Sequence, residues 1–300
     1  MMQLLYRIVY SSGVNYLVRN INKMLYPVLP IIRMPPSGKL TLSLKSGKKL
    51  KFYTNQTDHV SFIVFWNGLY KYEYVEMFED IIGKCRGFLD IGVNGGLYSL
   101  VAASTSEDIQ ILAFDPTEAA SFYFKKNIAA NGFEKSIDFR QMAMSDKDGE
   151  ATFFNVRYPK YKYLEHNLGG SSSFVVQPKE FTELKVELTS VDQFIANKRP
   201  DFKVDFVKID AEGAEPMILF GMKKTILKDQ PIVVCEVLHD EVLKDMESEL
   251  KAHEYAFYFH LKDGLKQVDS LKRKDEFDDV RNCFFVPKSR KHLIEKWVID

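Results

Sequence analysis

The stretch Asp90-Ile91-Gly92-Val93-Asn94-Gly95-Gly96 decides the fold of this chain of 300 residues. It follows the apolar pair Phe88-Leu89 and precedes the apolar run 97–103, so it predicts a strand, a tight glycine turn and the start of a helix. Glycines let the backbone turn sharply and approach a ligand closely. The first N–H groups of the following helix point at whatever lies there. The stretch therefore predicts a ligand site at the end of a buried strand.

The carboxylate of Asp90 indicates the charge of that ligand. A negative charge here repels a pyrophosphate and attracts a cation. S-adenosylmethionine carries a sulfonium and an ammonium group, whereas dinucleotides carry two phosphates. The dinucleotide fingerprint Gly-x-Gly-x-x-Gly is absent from the stretch. We therefore expect S-adenosylmethionine as the cofactor, and a nicotinamide-dependent oxidoreductase is the disfavoured alternative.

Composition narrows the class of protein. Lysine plus arginine equals aspartate plus glutamate, at 41 each, whereas nucleic-acid binders usually show a basic excess. No apolar run approaches the roughly 20 residues that a membrane helix needs. Cys85, Cys235 and Cys283 are odd in number and widely spaced, which favours buried thiols in a reducing compartment. We expect a cytoplasmic protein that has no nucleic-acid partner.

The N-terminal segment has two interpretations. Apolar residues recur there at roughly helical spacing, namely Leu4, Leu5, Ile8, Leu17, Val18, Ile21 and Leu25, with Arg7, Arg19 and Lys23 between them. One interpretation is a helix packed on the domain or on a second copy in a homodimer. The other is a basic amphipathic helix in peripheral contact with a membrane surface. Four prolines between residues 27 and 36 then end the segment, so residues 1–38 are predicted to form a helix and a linker.

Residues 39–300 are predicted to form one domain, with a hairpin and helices over 39–83 and a core over 84–290. Strands are expected at 87–91, 110–114, 137–142, 204–209, 231–237, 255–261 and 282–286. Strands that alternate with helices predict an α/β fold, here a Rossmann-like sheet of seven mostly parallel strands with helices on both faces. Right-handed crossovers place the loops that follow the strands along one edge.

The segment 145–203 is much longer than a usual connection between strands. Long excursions at the ligand edge of an α/β sheet tend to form lids or substrate walls. The segment contains Tyr158, Tyr161 and Tyr163, whose rings are suited to stack on sugar faces. We expect it to form the substrate region.

Two candidate residues follow the second and third predicted strands. Asp115 is placed to accept hydrogen bonds from a ribose diol. Its alternative role is to cap the next helix, with Pro116 at the first helical position. Met142 offers a flat apolar side chain to frame an adenine, and core packing is its alternative.

The fourth predicted strand ends in Lys208, Asp210, Glu212 and Glu215. Such a concentration of charge is costly unless the charges are paired or used. Neighbouring carboxylates raise one another's pKa, which suits a general base. The alternative is that Glu212 or Glu215 stabilises the start of the next helix while Lys208 forms an ion pair.

Glu236 and His239 follow the fifth predicted strand and are expected to reach the same cleft as Asp210. Histidine accepts a proton near neutral pH. Together the three residues also resemble a divalent-metal set, and an ordinary strand end is the alternative. We expect a site without a metal.

Several motifs together resemble those of FkbM-type methyltransferases. They are residues 88–99, Phe114-Asp115-Pro116, residues 169–173, residues 208–215 and residues 231–236. The resemblance runs from about Tyr72 to Pro287. It implies a class I methyltransferase fold, S-adenosylmethionine as donor and usually a hydroxyl acceptor on sugars, polysaccharides or natural products. It also implies that Asp90, Gly92, Asn94 and Gly96 belong to the cofactor loop and that Asp115 binds the ribose.

The favoured hypothesis is a methyltransferase that acts on a hydroxyl of a sugar, polysaccharide or glycosylated metabolite. Asp210 would hold the cofactor or the acceptor, and Glu212, Glu236 or His239 would be the base. The alternative is a non-catalytic nucleoside-binding or assembly module in a glycan-biosynthesis system.

Overall fold

The computed structural model describes residues 2–29, 32–169, 179–236, 244–272 and 280–300. Its α-helices are α1 Met2–Val9, α2 Ser12–Leu25, α3 His59–Asn67, α4 Val75–Ile82, α5 Leu97–Thr105, α6 Glu118–Asn131, α7 Val191–Lys198, α8 Glu215–Phe220, α9 Lys223–Asp229 and α10 Lys244–Ala252. Its strands are β1 Gly38–Ser43, β2 Lys49–Thr54, β3 Gly87–Ile91, β4 Gln110–Phe114, β5 Ile137–Arg140, β6 Ala143–Ser145, β7 Gly149–Val156, β8 Phe181–Ser190, β9 Phe206–Ile209, β10 Ile232–Glu236, β11 Tyr255–Leu261, β12 Gly264–Val268, β13 Asn282–Pro287 and β14 Val298–Ile299.

The main sheet has the strand order β14-β12-β11-β13-β10-β9-β3-β4-β5. The five strands from β10 to β5 are parallel, and β13 inserts antiparallel between β10 and β11. The chain leaves β3 towards β4 and β5, and then returns to β9 on the other side of β3. Such a reversal opens a crevice at the carboxyl ends of the strands, so the site is expected where β3 and β9 end.

A hydrophobic core lies on each face of the sheet, which confirms the predicted α/β class. One core joins the β1–β2 hairpin, α4, α5 and α6 to the sheet. The other joins α7, α8, α9 and α10 to the opposite face. Because both faces are covered, central strands contain continuous apolar runs such as residues 111–114 of β4, in which every residue is buried.

Within the described residues this sheet has nine strands where seven were predicted, because β12 and β14 join it. β12 forms a hairpin with β11, and the two-residue β14 pairs with β12. Two helices, α8 and α9, follow β9 and are separated at Gly221. A Cβ at Gly221 would lie 2.0 Å from the carbonyl oxygen of Ser145, so close backbone packing fixes this break.

The insertion 145–203 contributes a small separate sheet of order β6-β8-β7, followed by α7. Neither β6 nor α7 was predicted from the sequence. β6 pairs in parallel with residues 188–190 of β8, more than forty positions along the chain. Such a distant partner leaves no local pattern in the sequence.

The hairpin β1–β2 packs on α6 through two asparagines one helical turn apart. Asn127 is fully buried, accepts from the N–H of Tyr53 at 2.6 Å and donates to the carbonyl of Gly95 at 3.0 Å. Asn131 accepts from the N–H of Lys51 at 2.9 Å and donates to its carbonyl at 2.7 Å, in an exposed position. Asn127 thus connects the hairpin to the glycine loop.

Replacing Asn127 by alanine is expected to lower the free energy of unfolding by about 2–4 kcal/mol, because buried backbone groups lose their partners. Asn131→Ala, the matched control, should cost about 1 kcal/mol or less because water replaces its bonds. Urea denaturation followed by circular dichroism measures both changes. Equal losses in the two variants would contradict this account of the hairpin contact.

Candidate functional site

The glycine loop lies where β3 and β9 end, and its backbone has left-handed conformations. Gly92 and Gly96 have φ angles of 78° and 83°, and Asn94 has 49°. A Cβ at Gly92 would lie 1.8 Å from the carbonyl oxygen of Asp210, and one at Gly96 would lie 2.0 Å from the ring of Phe124. Both positions therefore require glycine. The loop runs directly into α5.

Asp115 contacts the glycine loop from the end of β4. Its Oδ2 accepts from the N–H of Asn94 at 3.0 Å, and its Oδ1 accepts from the N–H and hydroxyl of Thr117 at 2.9 and 2.7 Å. The residue that caps α6 is Thr117, whose hydroxyl accepts from Ala120. The alternative that Asp115 caps this helix is therefore wrong. Binding of a ribose by Asp115 stays a prediction.

Asp90 lies below the loop with only 1% of its surface exposed. Its Oδ2 accepts from the hydroxyl of Ser99 at 2.6 Å, while its Oδ1 lacks a hydrogen-bond partner within the described part of the chain. Burial raises the pKa of the Asp90 carboxyl, and the ammonium of Lys208 opposes that rise. Contact of Asp90 with the cofactor stays a prediction.

Lys208 connects both sides of the crevice. Its Nζ, 3.3 Å from the carbonyl oxygen of Gly92, is also 3.3 Å from Oδ2 of Asp210 and 3.8 Å from Oδ1 of Asp90. Burial alone lowers the pKa of this lysine, but Asp210 and Asp90 outweigh burial and raise it. Lys208 therefore stays charged. It forms an ion pair with Asp210 and Asp90, as the structural alternative for this residue predicted.

Asp210, Glu212 and Glu236 bring a carboxylate cluster to the exposed side of the same edge. Burial, followed by the nearby charge of Asp210, raises the pKa of Glu212 to about 7. Burial, followed by the nearby charge of Asp210, raises the pKa of Glu236 to about 8. Both glutamates can therefore exchange a proton near neutral pH. The structure brings these three predicted catalytic residues together, and their catalytic role stays a prediction.

Glu215 is buried and binds its own turn. Its two carboxylate oxygens accept from the N–H groups of Ala211 and Gly213 at 2.7 and 2.8 Å. Glu212 and Gly213 have positive φ angles of 51° and 102°, and Glu215 holds them there. The N-cap of α8 is Ala214, without a side-chain hydrogen bond, so the alternative that Glu215 caps the helix is wrong, although its charge lies in the first turn, where the helix dipole favours it. A non-glycine residue in this backbone region stores strain, which is common at functional sites.

Glu73 belongs to the cluster, although no sequence pattern selects it. Its Oε2 accepts from the hydroxyl of Tyr98 at 3.0 Å. Surrounding protein raises the pKa of Glu73, and Asp210 raises it further, although the side chain still reaches solvent. It thus lines an open cleft. Glu73 precedes α4, whose distance from β9 along the chain hides this proximity.

A second part of the edge lies between α6 and the end of β5. Phe122 and His166 stack there at 4.6 Å, and Gln141 lines the same cleft. The Nδ1 of His166 lacks a hydrogen-bond partner among the residues described. Met142 is partly buried against the core beside this cleft. The flat aromatic wall suits an adenine, and the predicted adenine contact of Met142 stays untested.

The three tyrosines of the insertion do not share one role. Tyr161 is buried between Tyr6 and Tyr10 at ring distances of 5.6 and 5.5 Å. The hydroxyl of Tyr163 donates to the carbonyl of Tyr6 at 3.1 Å. Stacking of a sugar on Tyr161 is therefore wrong, because that ring is buried, whereas stacking on Tyr163 stays a prediction. Tyr158 instead lies near enough to Glu212 that this charge, after burial, raises the pKa of its phenol.

Two groups of predicted residues lie outside the described residues, namely His239 and positions 170–173 of the serine-rich motif. Within the residues described, no group of three or more His, Cys, Asp or Glu side chains is arranged to hold a metal ion. The three cysteines are buried free thiols, as predicted. Another cleft, lined by Lys228, Gln230 and Arg290, lies at the opposite edge of the sheet and contains none of the predicted site residues.

The sequence of this edge matches the methyltransferase FkbM domain over residues 90–257. That match spans more than half of the chain and includes the glycine loop, Asp115 and the carboxylate cluster. The chain belongs to the FkbM methyltransferase family. Family membership implies methyl transfer from S-adenosylmethionine, as predicted from the motifs.

This FkbM-family chain spans less than half the length of two of the proteins to which it is similar. AMB antimetabolite synthetase AmbE from Pseudomonas aeruginosa is 25% identical over 232 residues, which cover 67% of this chain and 10% of AmbE. A solved FkbM methyltransferase from Methylobacillus flagellatus is 12% identical with a TM-score of 0.43, over 67% of this chain and 43% of that one. The O-methyltransferase TomG from Streptomyces achromogenes, solved with S-adenosylmethionine, is 11% identical with a TM-score of 0.39, over 71% and 80%.

The raised pKa of Glu212 predicts how stability depends on pH. Glutamate titrates near 4.3 in an unfolded chain and at about 7 in this fold, so the folded protein binds the proton more tightly. Stability is then lost as the pH rises from about 4.5 through about 7. Glu212→Gln has no proton to lose there. Its free energy of unfolding relative to the parent should increase between pH 5 and 8, by about 1 kcal/mol after solvent screening.

Urea denaturation at a series of pH values measures this difference. Glu134→Gln is the matched control, because Glu134 is exposed on the loop after α6. The control should follow the parent at every pH. A constant difference between Glu212→Gln and the parent across the range would contradict the raised pKa.

Proposed function

We propose that this protein transfers a methyl group from S-adenosylmethionine to a hydroxyl of a sugar, in a polysaccharide or a glycosylated metabolite. The observation that carries the proposal is the cluster of Asp210, Glu212 and Glu236 beside the glycine loop. Two of its carboxyls have pKa values raised to about 7 and about 8. A general base works best when its pKa lies near the operating pH.

The charge of the edge suits a cationic donor. Asp90, Asp115, Asp210, Glu212 and Glu236 line it, and Lys208 is the buried cation among them. The unpartnered Oδ1 of Asp90 adds acceptor capacity below the loop. When bound, S-adenosylmethionine supplies a methyl group on a sulfonium, which is already activated towards an oxygen nucleophile.

The chain must bind and orient the donor, and Asp115 is the residue best placed for its ribose. Its two oxygens already fix Asn94 and Thr117, so the carboxylate is held rigidly at the end of β4. A carboxylate accepts more than one hydrogen bond at each oxygen. Asp115 therefore keeps acceptor capacity for a diol while it holds the loop.

The acceptor hydroxyl must lose its proton as its oxygen bonds to carbon. We assign this proton to Glu236, whose pKa is raised by burial and by the nearby charge of Asp210. Glu212 is the second candidate, on the strained turn that faces Tyr158. A tyrosine ring beside carboxylates suits a sugar, because the ring covers its apolar face and the charged groups bind its hydroxyls.

Asp115→Ala is expected to weaken binding of S-adenosylmethionine at least tenfold, since the ribose loses its acceptors and the loop loses its anchor. Isothermal titration calorimetry measures the affinity. Asp115→Asn, which retains one acceptor oxygen, should have an affinity between those of the parent and Asp115→Ala. Asp263→Ala is the control, because Asp263 is exposed in the turn between β11 and β12. Unchanged affinity in Asp115→Ala would remove this residue from the donor site.

Glu236→Gln is expected to lower kcat about 100-fold or more while donor affinity stays within a few-fold, because an amide cannot accept the proton. Incorporation of labelled methyl into a panel of oligosaccharides measures kcat. Glu212→Gln in the same assay identifies the base, because only removal of the proton acceptor should produce the full loss. Full activity in both variants would contradict the proposed base. Donor binding with no methyl incorporation by the parent would favour a non-catalytic module.

A further inference from the structure

Helix α2 has an inverted polarity: its buried residues are polar, and most of its exposed residues are apolar. The buried side chains are Asn15 and Arg19. The guanidinium of Arg19 donates to the carbonyls of Ser37 and Lys39, both at 2.7 Å, and Asn15 accepts from the N–H of Ser37 at 2.7 Å. A polar stripe thus attaches α2 to the chain that leads into β1.

The outward side of α1 and α2 is a continuous apolar surface, which we call the apolar platform. It consists of Leu4, Leu5, Ile8, Val14, Leu17, Val18, Ile21, Met24 and Leu25, each at least 39% exposed. Met24 is 70% exposed and Leu17 is 61% exposed. Isolated apolar residues on a surface are ordinary, but a contiguous patch of this kind marks an interaction site.

The position of the platform is fixed by contacts with the rest of the molecule. Tyr6 and Tyr10 pack on Tyr161, and Gln3 donates to the carbonyl of Lys160. Together with the hydrogen bonds of Arg19, these contacts hold α1 and α2 with their apolar side facing away from the domain. The segment that begins at Tyr161 continues to Leu168, whose carbonyl accepts from Asn94 of the glycine loop at 3.3 Å. The platform and the site are therefore joined by a short stretch of chain.

Charge and aromatic residues at the rim identify the occupant. The first 57 residues contain nine lysines and arginines and no aspartate or glutamate, so the balanced total conceals a basic N-terminal part. Arg7, Lys23 and Arg33 are exposed there. Tyr26 and Trp66 lie 5.2 Å apart, and the guanidinium of Arg33 lies 4.9 Å from the Tyr26 ring. Tyrosine, tryptophan and basic residues around an apolar face are typical of helices that lie in a lipid interface.

We propose that the apolar platform inserts into the surface of an anionic lipid bilayer. Attraction of the basic rim to anionic headgroups adds to burial of the apolar face. A second copy of the chain would bring an equally basic rim against the first in a two-fold dimer, which disfavours self-association. No described helix has the length and hydropathy needed to cross a bilayer, so the contact is with its surface.

Sedimentation with phosphatidylglycerol–phosphatidylcholine vesicles tests the proposal on the full chain. The parent should bind these vesicles at least tenfold more tightly than vesicles of phosphatidylcholine alone. The double variant Leu17→Glu with Ile21→Glu should lose at least tenfold in binding to the mixed vesicles. Leu227→Glu is the matched control, because Leu227 is an exposed leucine on α9, and it should bind as the parent does.

Thermal unfolding and donor titration establish that both variants fold, and neither readout depends on the acceptor or on turnover. The proposal is overturned if the parent stays in the supernatant with mixed vesicles, or if the double variant binds as well as Leu227→Glu. It is also overturned if the parent is a dimer that the double variant dissociates without any lipid binding, since a second copy would then occupy the platform. Loss of methyl transfer with intact vesicle binding would instead count against the proposed function alone.

Discussion

The buried ammonium group of Lys208 is the interaction on which the site depends. It lies within 4 Å of Asp90, Asp210 and the carbonyl of Gly92, and so it joins the end of β3 to the end of β9. Without a cation there, two carboxylates and a carbonyl would face one another in a region of low dielectric. Because buried charges are tolerated only when they are paired, this lysine and its acids specify each other.

The pairing also explains why the rest of the edge stays reactive. Lys208 is directed at Asp90 and Asp210, so Glu212 and Glu236 remain among like charges with less compensation. Burial, and then the like charge of Asp210, raises the pKa values of both glutamates towards neutrality, and an excess of negative charge suits a sulfonium. A structural ion pair and a chemically responsive carboxylate cluster are thus two consequences of one arrangement on β9 and β10.

The sequence predicted the structure correctly where the pattern is local. The apolar runs and glycines around Asp90 gave β3, the loop and α5 within a residue or so, and strand-end positions brought Asp210 and Glu236 together correctly. It was insufficient where a partner is distant. Glu73 reaches the cluster from before α4, β6 finds β8 across the insertion, and Tyr161 is buried by residues of the first helices. None of these contacts has a periodic pattern, because each depends on the packing of elements far apart in the chain.

The N-terminal part shows a related limit. Spacing predicted a helix, and the structure has two, α1 and α2, but only the contacts of Arg19 reveal that the polar stripe faces inward. That orientation distinguishes a helix that packs its apolar side on the domain from a helix that exposes its apolar side to solvent. The apolar platform and the glycine loop are connected through residues 161–168, so the two proposals concern neighbouring parts of one molecule.

A crystal structure with bound S-adenosylhomocysteine tests the central claim most directly. The account predicts the ligand along residues 92–96, with its ribose hydroxyls at Asp115 and its sulfur on the side of Asp210 and Glu236. A ligand in the cleft at the opposite edge of the sheet, beside Lys228 and Arg290, or a ligand whose ribose lies away from Asp115, would contradict it.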